Sequence, residues 1–268
     1  MEALLAGLID ALALPDSCRV DRRIGKQLLI DSGTFSAADK HLINEGIEEV
    51  RWVAALKPNS VGVAEYRDEQ RQYLEISVVV LTLRAIDGKE PSAARISDLI
   101  QRAVPYPLVL LATMGDRMEL CMAHKRWALN DPGKTVIDGE MVAVSIEAFV
   151  EEVEASTLAA NRAIEQQFLG SLALTRQPLA TLLTLYQGWM DCVQALLAAK
   201  VTGAFKMPDS AEHAADRRHA FHECLDLEAE ASQLRALAAK ERQISRQVEL
   251  NQALKRVQEK LSAARSRL

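Results

Sequence analysis

Aromatic side chains are scarce in this chain: Phe, Trp and Tyr together make up 4% of its 268 residues. The core therefore has to be assembled from Leu, Ala, Val and Ile, which favours helix-rich packing. Cysteine is also sparse, and Cys18, Cys121, Cys192 and Cys224 lie far apart with no CxxC pair. That spacing excludes a zinc knuckle and a disulfide framework, and it implies reduced thiols. No uncharged apolar stretch reaches the roughly 18 residues that a membrane-spanning helix needs. The opening MEALLAGLIDALALP has the apolar character of a secretory leader, but it carries Glu2 and Asp10 and lacks a positive start. It reads instead as an amphipathic first helix, and the expected compartment is the cytoplasm. Positive charge is not in excess: 32 Lys and Arg against 37 Asp and Glu leave a net charge of −5. A globally basic nucleic-acid binder is thereby excluded, while local basic patches stay open. With neither GxxxxGK[ST] nor GxGxxG, Walker-type nucleotide hydrolysis and dinucleotide binding have no support.

What the chain does contain falls into three regions: an α+β domain over 1–149, a helical region packed on it over 150–207, and a long helix over 208–268. In the first, Ser36 is a natural N-cap for a helix running to Val50, with Leu42, Ile43, Ile47 and Val50 at helical spacing. Short β-like runs follow at Arg51 to Leu56, Val61 to Tyr66 and Tyr73 to Leu83. The run EISVVVLTLR is β-branched and apolar on both faces, which suits the central strand of a sheet. Pro91 to Val104 returns to helical spacing and is stopped by Pro105-Tyr-Pro107, because a proline disfavours α geometry in the residue before it. PLVLLATM, a tight turn at Gly115-Asp116 and MELCMAHKRW read as a hairpin. After a turn at Asn130 to Gly133, Thr135 to Ile146 reads as a last strand. This order predicts an α+β fold with a mainly antiparallel sheet and flanking helices.

The second region carries a wide apolar face through Leu182, Leu185, Tyr186, Trp189, Val193, Leu196 and Leu197, which has to be buried. The third has no Gly and no Pro from Asp209 to Leu268, and predicts a coiled-coil-like helix of about 60 residues and roughly 90 Å. Leu227, Leu234, Leu237, Ile244 and Val248 form one heptad-like seam. Leu250, Leu254, Val257, Leu261 and Leu268 form another, displaced by about one residue. Such a slip implies a bend or a change of partner. From Asp209 to Glu230 seven acids face two arginines, whereas from Lys240 to Leu268 eight bases face three acids. An antiparallel arrangement would set the acidic part against the basic tail. Fold-back on the body or antiparallel pairing is therefore preferred to a parallel dimer.

Three stretches resemble a known bacterial family: EVRWVAALKPNSVGV, then EISVVVLTLR with a helix and VPYPLVLL, then LYQGWMDCVQALLAAKVTGAF with the tail motif RQVELNQALKRVQEKL. Together they identify the chain as similar to the domain-of-unknown-function family 4391 over nearly its whole length. The resemblance implies a setting rather than a mechanism. Family members tend to be encoded beside helicases, restriction-type enzymes and DNA methyltransferases in phage-defence regions, and no catalytic residues are defined for them.

Several residues carry chemistry on their own account. A restriction-type metal-dependent nuclease needs acids on neighbouring strands and a lysine two residues after the last one. Glu65, Asp68 and Glu75 supply the acids, but Glu75 is followed by Ile76 and Ser77, so that lysine is missing. His219 and His222 share a helix face while Cys224 does not align with them, and a solvated or interface pair is the simpler reading. His41 and His124 have no evident triad partners, and Trp52, Trp127 and Trp189 read as core residues. Candidate nucleic-acid contacts are Lys125 and Arg126 beside Trp127, and Lys255, Arg256 and Lys260 in the tail. Candidate partner-binding residues are Leu234, Leu237, Ile244, Val248, Leu250, Leu254, Val257 and Leu261. No cofactor and no metal is expected. The leading expectation is a non-enzymatic accessory or scaffold protein. Its partner would be a helicase or DNA methyltransferase, or a second copy bound through the C-terminal helix. A divergent nuclease and a DNA-binding subunit are the alternatives.

Overall fold

The computed structural model describes residues 2–129, 131–147 and 155–268. The expected boundary at 149 and the expected turn residue Asn130 lie outside them. The chain divides into two compact units, Met1–Val193 and Gln194–Leu268. The first unit begins with α1 (Glu2–Ala11), β1 (Arg19–Arg23), α2 (Lys26–Ser32), α3 (Ala37–Gly46), β2 (Ile47–Leu56) and α4 (Pro58–Val61). Then come β3 (Tyr66–Arg67), β4 (Gln72–Tyr73), β5 (Ile76–Leu83), α5 (Ala93–Ala103), β6 (Leu108–Met114), β7 (Arg117–Ala128), β8 (Asp131–Glu147) and α6 (Ala155–Ser171). The division falls within α7 (Leu182–Thr202), and the second unit adds α8 (Ala211–Lys240) and α9 (Ile244–Arg265).

One six-stranded sheet runs β1-β2-β5-β6-β7-β8, and within it only β5 and β6 pair in parallel. The strand EISVVVLTLR is central, as its two apolar faces require, and seven of the eight residues of β5 are buried. The parallel pairing follows from α5, whose crossover returns the chain beside β5. Ser92 caps α5 by accepting the Arg95 N–H at 3.2 Å, and Ile96, Leu99, Ile100 and Ala103 pack inward. Ile96, Leu99 and Ile100 join β2, β5, β6 and residues of α2 and α3 in one core cluster. Gly115 takes φ +59° in the two-residue turn between β6 and β7, a conformation that glycine adopts without steric cost.

Several boundaries differ from expectation: β8 begins at Asp131, inside the expected turn, and the run Tyr73 to Leu83 is divided between β4 and β5. Ser36 does cap α3, forming a reciprocal capping box with Asp39, but the helix stops at Gly46 rather than Val50. Ile47 and Val50 are strand residues with their side chains in the core, because β2 pairs with β5 already at Ile47. The stretch at Val61 to Tyr66 is mostly not strand. Pro58–Val61 forms one helical turn, Ala64 makes an isolated bridge with Thr181, and Tyr66 and Arg67 pair with Gln72 and Tyr73. Pro58 fixes φ in that first turn and favours the helix there.

The single helix expected over 208–268 is two helices. The break falls at Glu241-Arg242-Gln243, where the Glu241 carboxylate accepts the backbone N–H groups of Arg242 and Gln243 at 2.8 and 2.9 Å. These bonds take both groups out of the helical ladder without any Gly or Pro. The chain then reverses, and α9 packs back along α8 through Cys224, Leu227, Ala231, Val257, Leu261 and Ala264, with Leu234, Leu254 and Leu268 at the margin. Arg265 meets Glu228 at 2.7 Å and Arg267 pairs with Glu223, so the basic tail does lie against the acidic start.

Candidate functional site

Four places gather side chains that chemistry can use, and the element that holds each one determines what it can do. The first is the end of the hairpin between α8 and α9. Leu237 in the last turn of α8, and Ile244 and Val248 in the first turns of α9, are 55%, 77% and 48% exposed. Ile244 and Val248 are four residues apart and share a face. Lys240, Arg242 and Arg246 stand exposed beside them, and Arg246 reaches Glu241 at 3.7 Å. Of the expected partner-binding residues, Leu234, Leu254, Val257 and Leu261 are used inside the hairpin and Leu250 is half-buried, which leaves Leu237, Ile244 and Val248 exposed.

The second is Glu75, just before β5. Its carboxylate accepts the Ser77 hydroxyl at 2.9 Å and meets Lys57 at 3.2 Å, with only 12% of the side chain exposed. The lysine that the linear motif lacks is thus supplied from just past the end of β2, a pairing that the strand register creates and sequence spacing hides. Asp68 is engaged elsewhere. It accepts the Gln70 and Arg71 N–H groups, both at 2.7 Å, and the Tyr66 hydroxyl at 2.8 Å. Chiefly the Tyr66 hydroxyl holds its carboxyl below the usual range. Glu65 pairs with Arg67 at the surface. Glu65, Asp68 and Glu75 do not converge, and among the described residues no group of three or more His, Cys, Asp or Glu side chains is placed to hold a metal ion.

The third is a polar chain between β4, β7 and α7. The Tyr73 hydroxyl bonds His124 Nδ1, His124 Nε2 bonds Gln187 Oε1 at 2.8 Å, and the Gln187 amide donates to Asp191 at 2.8 Å. Asp191 can only accept, so Gln187 turns its oxygen to His124. Nε2 therefore carries the proton, and Nδ1 receives the Tyr73 O–H. Burial raises the Tyr73 hydroxyl far above its ordinary value, which keeps it a donor. Tyr186, fully buried beside this pair, accepts the Ala123 N–H at 3.0 Å and donates to Leu108 O at 2.9 Å. Both ring nitrogens of His124 are engaged, which suits a positioning role better than a base.

The fourth is Lys125. Successive strand residues face opposite sides of a sheet, so Lys125 turns away from His124 and towards α5. It is 3% exposed, and its amine donates to Gln101 O and to Val104 O, the latter at 3.2 Å. Burial pushes its pKa down to about 7. The expected nucleic-acid contact at Lys125 is corrected by this burial, and neighbouring Arg126 is engaged with Asp138 at 3.5 Å. Lys255, Arg256 and Lys260 are exposed along α9. His41, His219 and His222 are at the surface, while Cys224 is in the hairpin seam. Trp189 is a core residue at 1% exposure, whereas Trp52 and Trp127 are half-buried. All four cysteines are buried free thiols. No described helix is long and apolar enough to cross a membrane.

The family model described as "Domain of unknown function (DUF4391)" matches residues 12–261. The chain belongs to that family. No curated protein and no solved structure matches it.

Proposed function

We propose that this family member is a non-enzymatic accessory or scaffold protein of a bacterial phage-defence or DNA restriction-modification system, and that it acts by gripping another protein with the end of its helical hairpin. The observation that carries the reading is the exposure of Leu237, Ile244 and Val248 around one turn. Exposed apolar side chains clustered within a polar surround mark contact surfaces. The cations around them favour a partner surface that is apolar with an acidic rim. A helicase or DNA methyltransferase encoded beside the protein is the partner to test first, and a second copy of the chain is the other.

The experiment is co-purification of tagged protein with each such enzyme, alongside the variant Leu237→Ser, Ile244→Ser, Val248→Ser. Because the three side chains are exposed, the variant keeps its helix content. Capture should be lost with it. Equal capture by both proteins would sink the reading, and a concentration-dependent mass by light scattering would move the partner to a second copy.

The divergent nuclease keeps one favourable observation, the Lys57–Glu75 pair. It requires that the purified protein cut DNA with Mg²⁺ or Mn²⁺ and that Glu75→Ala stop the cutting.

A further inference from the structure

We infer that the β1 edge of the sheet is a docking site for the phosphate backbone of a nucleic acid. β1 reads Arg-Val-Asp-Arg-Arg over Arg19–Arg23 and has a sheet neighbour on one side only, β2. Arg19, Arg22 and Arg23 are all exposed, and Arg51 lies opposite Arg23 in the register. Among the described residues neither Arg19 nor Arg22 forms an ion pair. Arg23 and Arg51 meet Glu49 and Asp21 at 3.8 and 3.5 Å through exposed side chains, pairs weak enough to be exchanged for phosphate.

At one end of the strand Arg19 lines an open cleft of about 320 Å³, whose polar lining also includes Ser17, Lys57, Asn59 and Ser60. Cationic, hydroxyl and amide groups of this kind are what phosphate oxygens take from proteins. Charged residues on an edge strand also prevent edge-to-edge association, but that role asks nothing of the cleft. The cations are spread along a line rather than gathered in a pocket. A bulge with Asp21 at φ +45° shortens the strand, and Arg19 and Arg23 stand opposite Ala54 and Arg51, three residues or about 10 Å apart along the edge. A polymeric anion fits that layout. Val20 is the only apolar residue of the strand and is half-buried, so nothing is offered for insertion into a lipid surface.

The site shares no residue with the hairpin end, and the proposal stands without a protein partner there. Its test is fluorescence anisotropy of labelled single-stranded and duplex DNA with the full chain over a series of salt concentrations. Binding should weaken as salt rises. In Arg19→Gln, Arg22→Gln, Arg23→Gln the log–log salt slope should shrink by about three, one for each lost phosphate contact. A control with the same charge change at exposed cations outside every candidate site, Lys89→Gln, Lys134→Gln, Arg235→Gln, should bind like the parent. No binding at low salt, parent-like binding by the β1 variant, or an equal loss in the control would each overturn the proposal. So would equal displacement of either DNA by polyglutamate, which would make the ligand an acidic peptide.

Discussion

At the scale of single residues, the buried polar groups make the sharpest predictions. Tyr186 uses its hydroxyl to serve Ala123 N and Leu108 O where water has no access. Tyr186→Phe keeps the ring but removes both bonds, and should lower stability by about 1–3 kcal/mol in urea titration. Lys125 gives a pH signature. Its folded pKa of about 7 lies below the ordinary value of 10.5, so the unfolded chain binds more protons between those values. Its contribution to stability is therefore present above the unfolded pKa and lost as pH falls towards 7. The unfolding free energy should rise from pH 7 to pH 10 by an amount on the order of a few kcal/mol, and Lys125→Met should flatten the rise. The burial of Tyr186 was legible in the apolar face of its helix, but that of Lys125 was not. Lys125-Arg126-Trp127 has the composition of a surface contact, and only strand alternation and the neighbouring end of α5 turn the lysine inward. Glu75 likewise lacked a lysine in its own strand and found Lys57 through the register of β2 with β5.

At the scale of elements, the central strand, α5 and its proline stop, the β6–β7 turn and the apolar face of α7 could all be read from periodicity and turn residues. The hairpin could be read only in part. Counting Leu, Ile and Val followed the wrong stripe, because buried and half-buried residues of α8 recur at Ala220, Cys224, Leu227, Ala231, Leu234 and Ala238. Alanine in half of these positions hides the heptad from a search for large residues, while Leu237 falls outside it. A pair of substitutions separates the two stripes. Leu261→Ala, at 8% exposure, should destabilise the hairpin by about 2–5 kcal/mol. Ile244→Ala, at 77% exposure, should stay within about 0.5 kcal/mol. Circular dichroism at increasing temperature measures both. The displacement between the two large-residue seams falls between Val248 and Leu250, inside α9, whereas the chain reverses earlier, between Lys240 and Ile244, where the first seam runs on without interruption.

At the scale of the whole molecule, the division at Val193 and Gln194 coincides with a division of chromophores. Trp52, Trp127 and Trp189 and all four tyrosines precede it, and none follows. Tryptophan fluorescence therefore follows the sheet-containing unit alone, whereas helical circular dichroism follows both. Leu261→Ala should shift the dichroism transition to lower temperature and leave the fluorescence transition in place; a common shift would show that the units unfold as one. The reversal at Glu241 has a further consequence for the reach of the chain. With Arg267 beside Glu223, the last residues return to the middle of α8, about 26 Å along its axis from the far end at Lys240. A dye, tag or fused domain attached after Leu268 is accordingly a marker for the middle of α8, and it leaves the far end unobstructed. A probe meant to sense that end has to be placed in the turn itself, at Arg242 or Gln243.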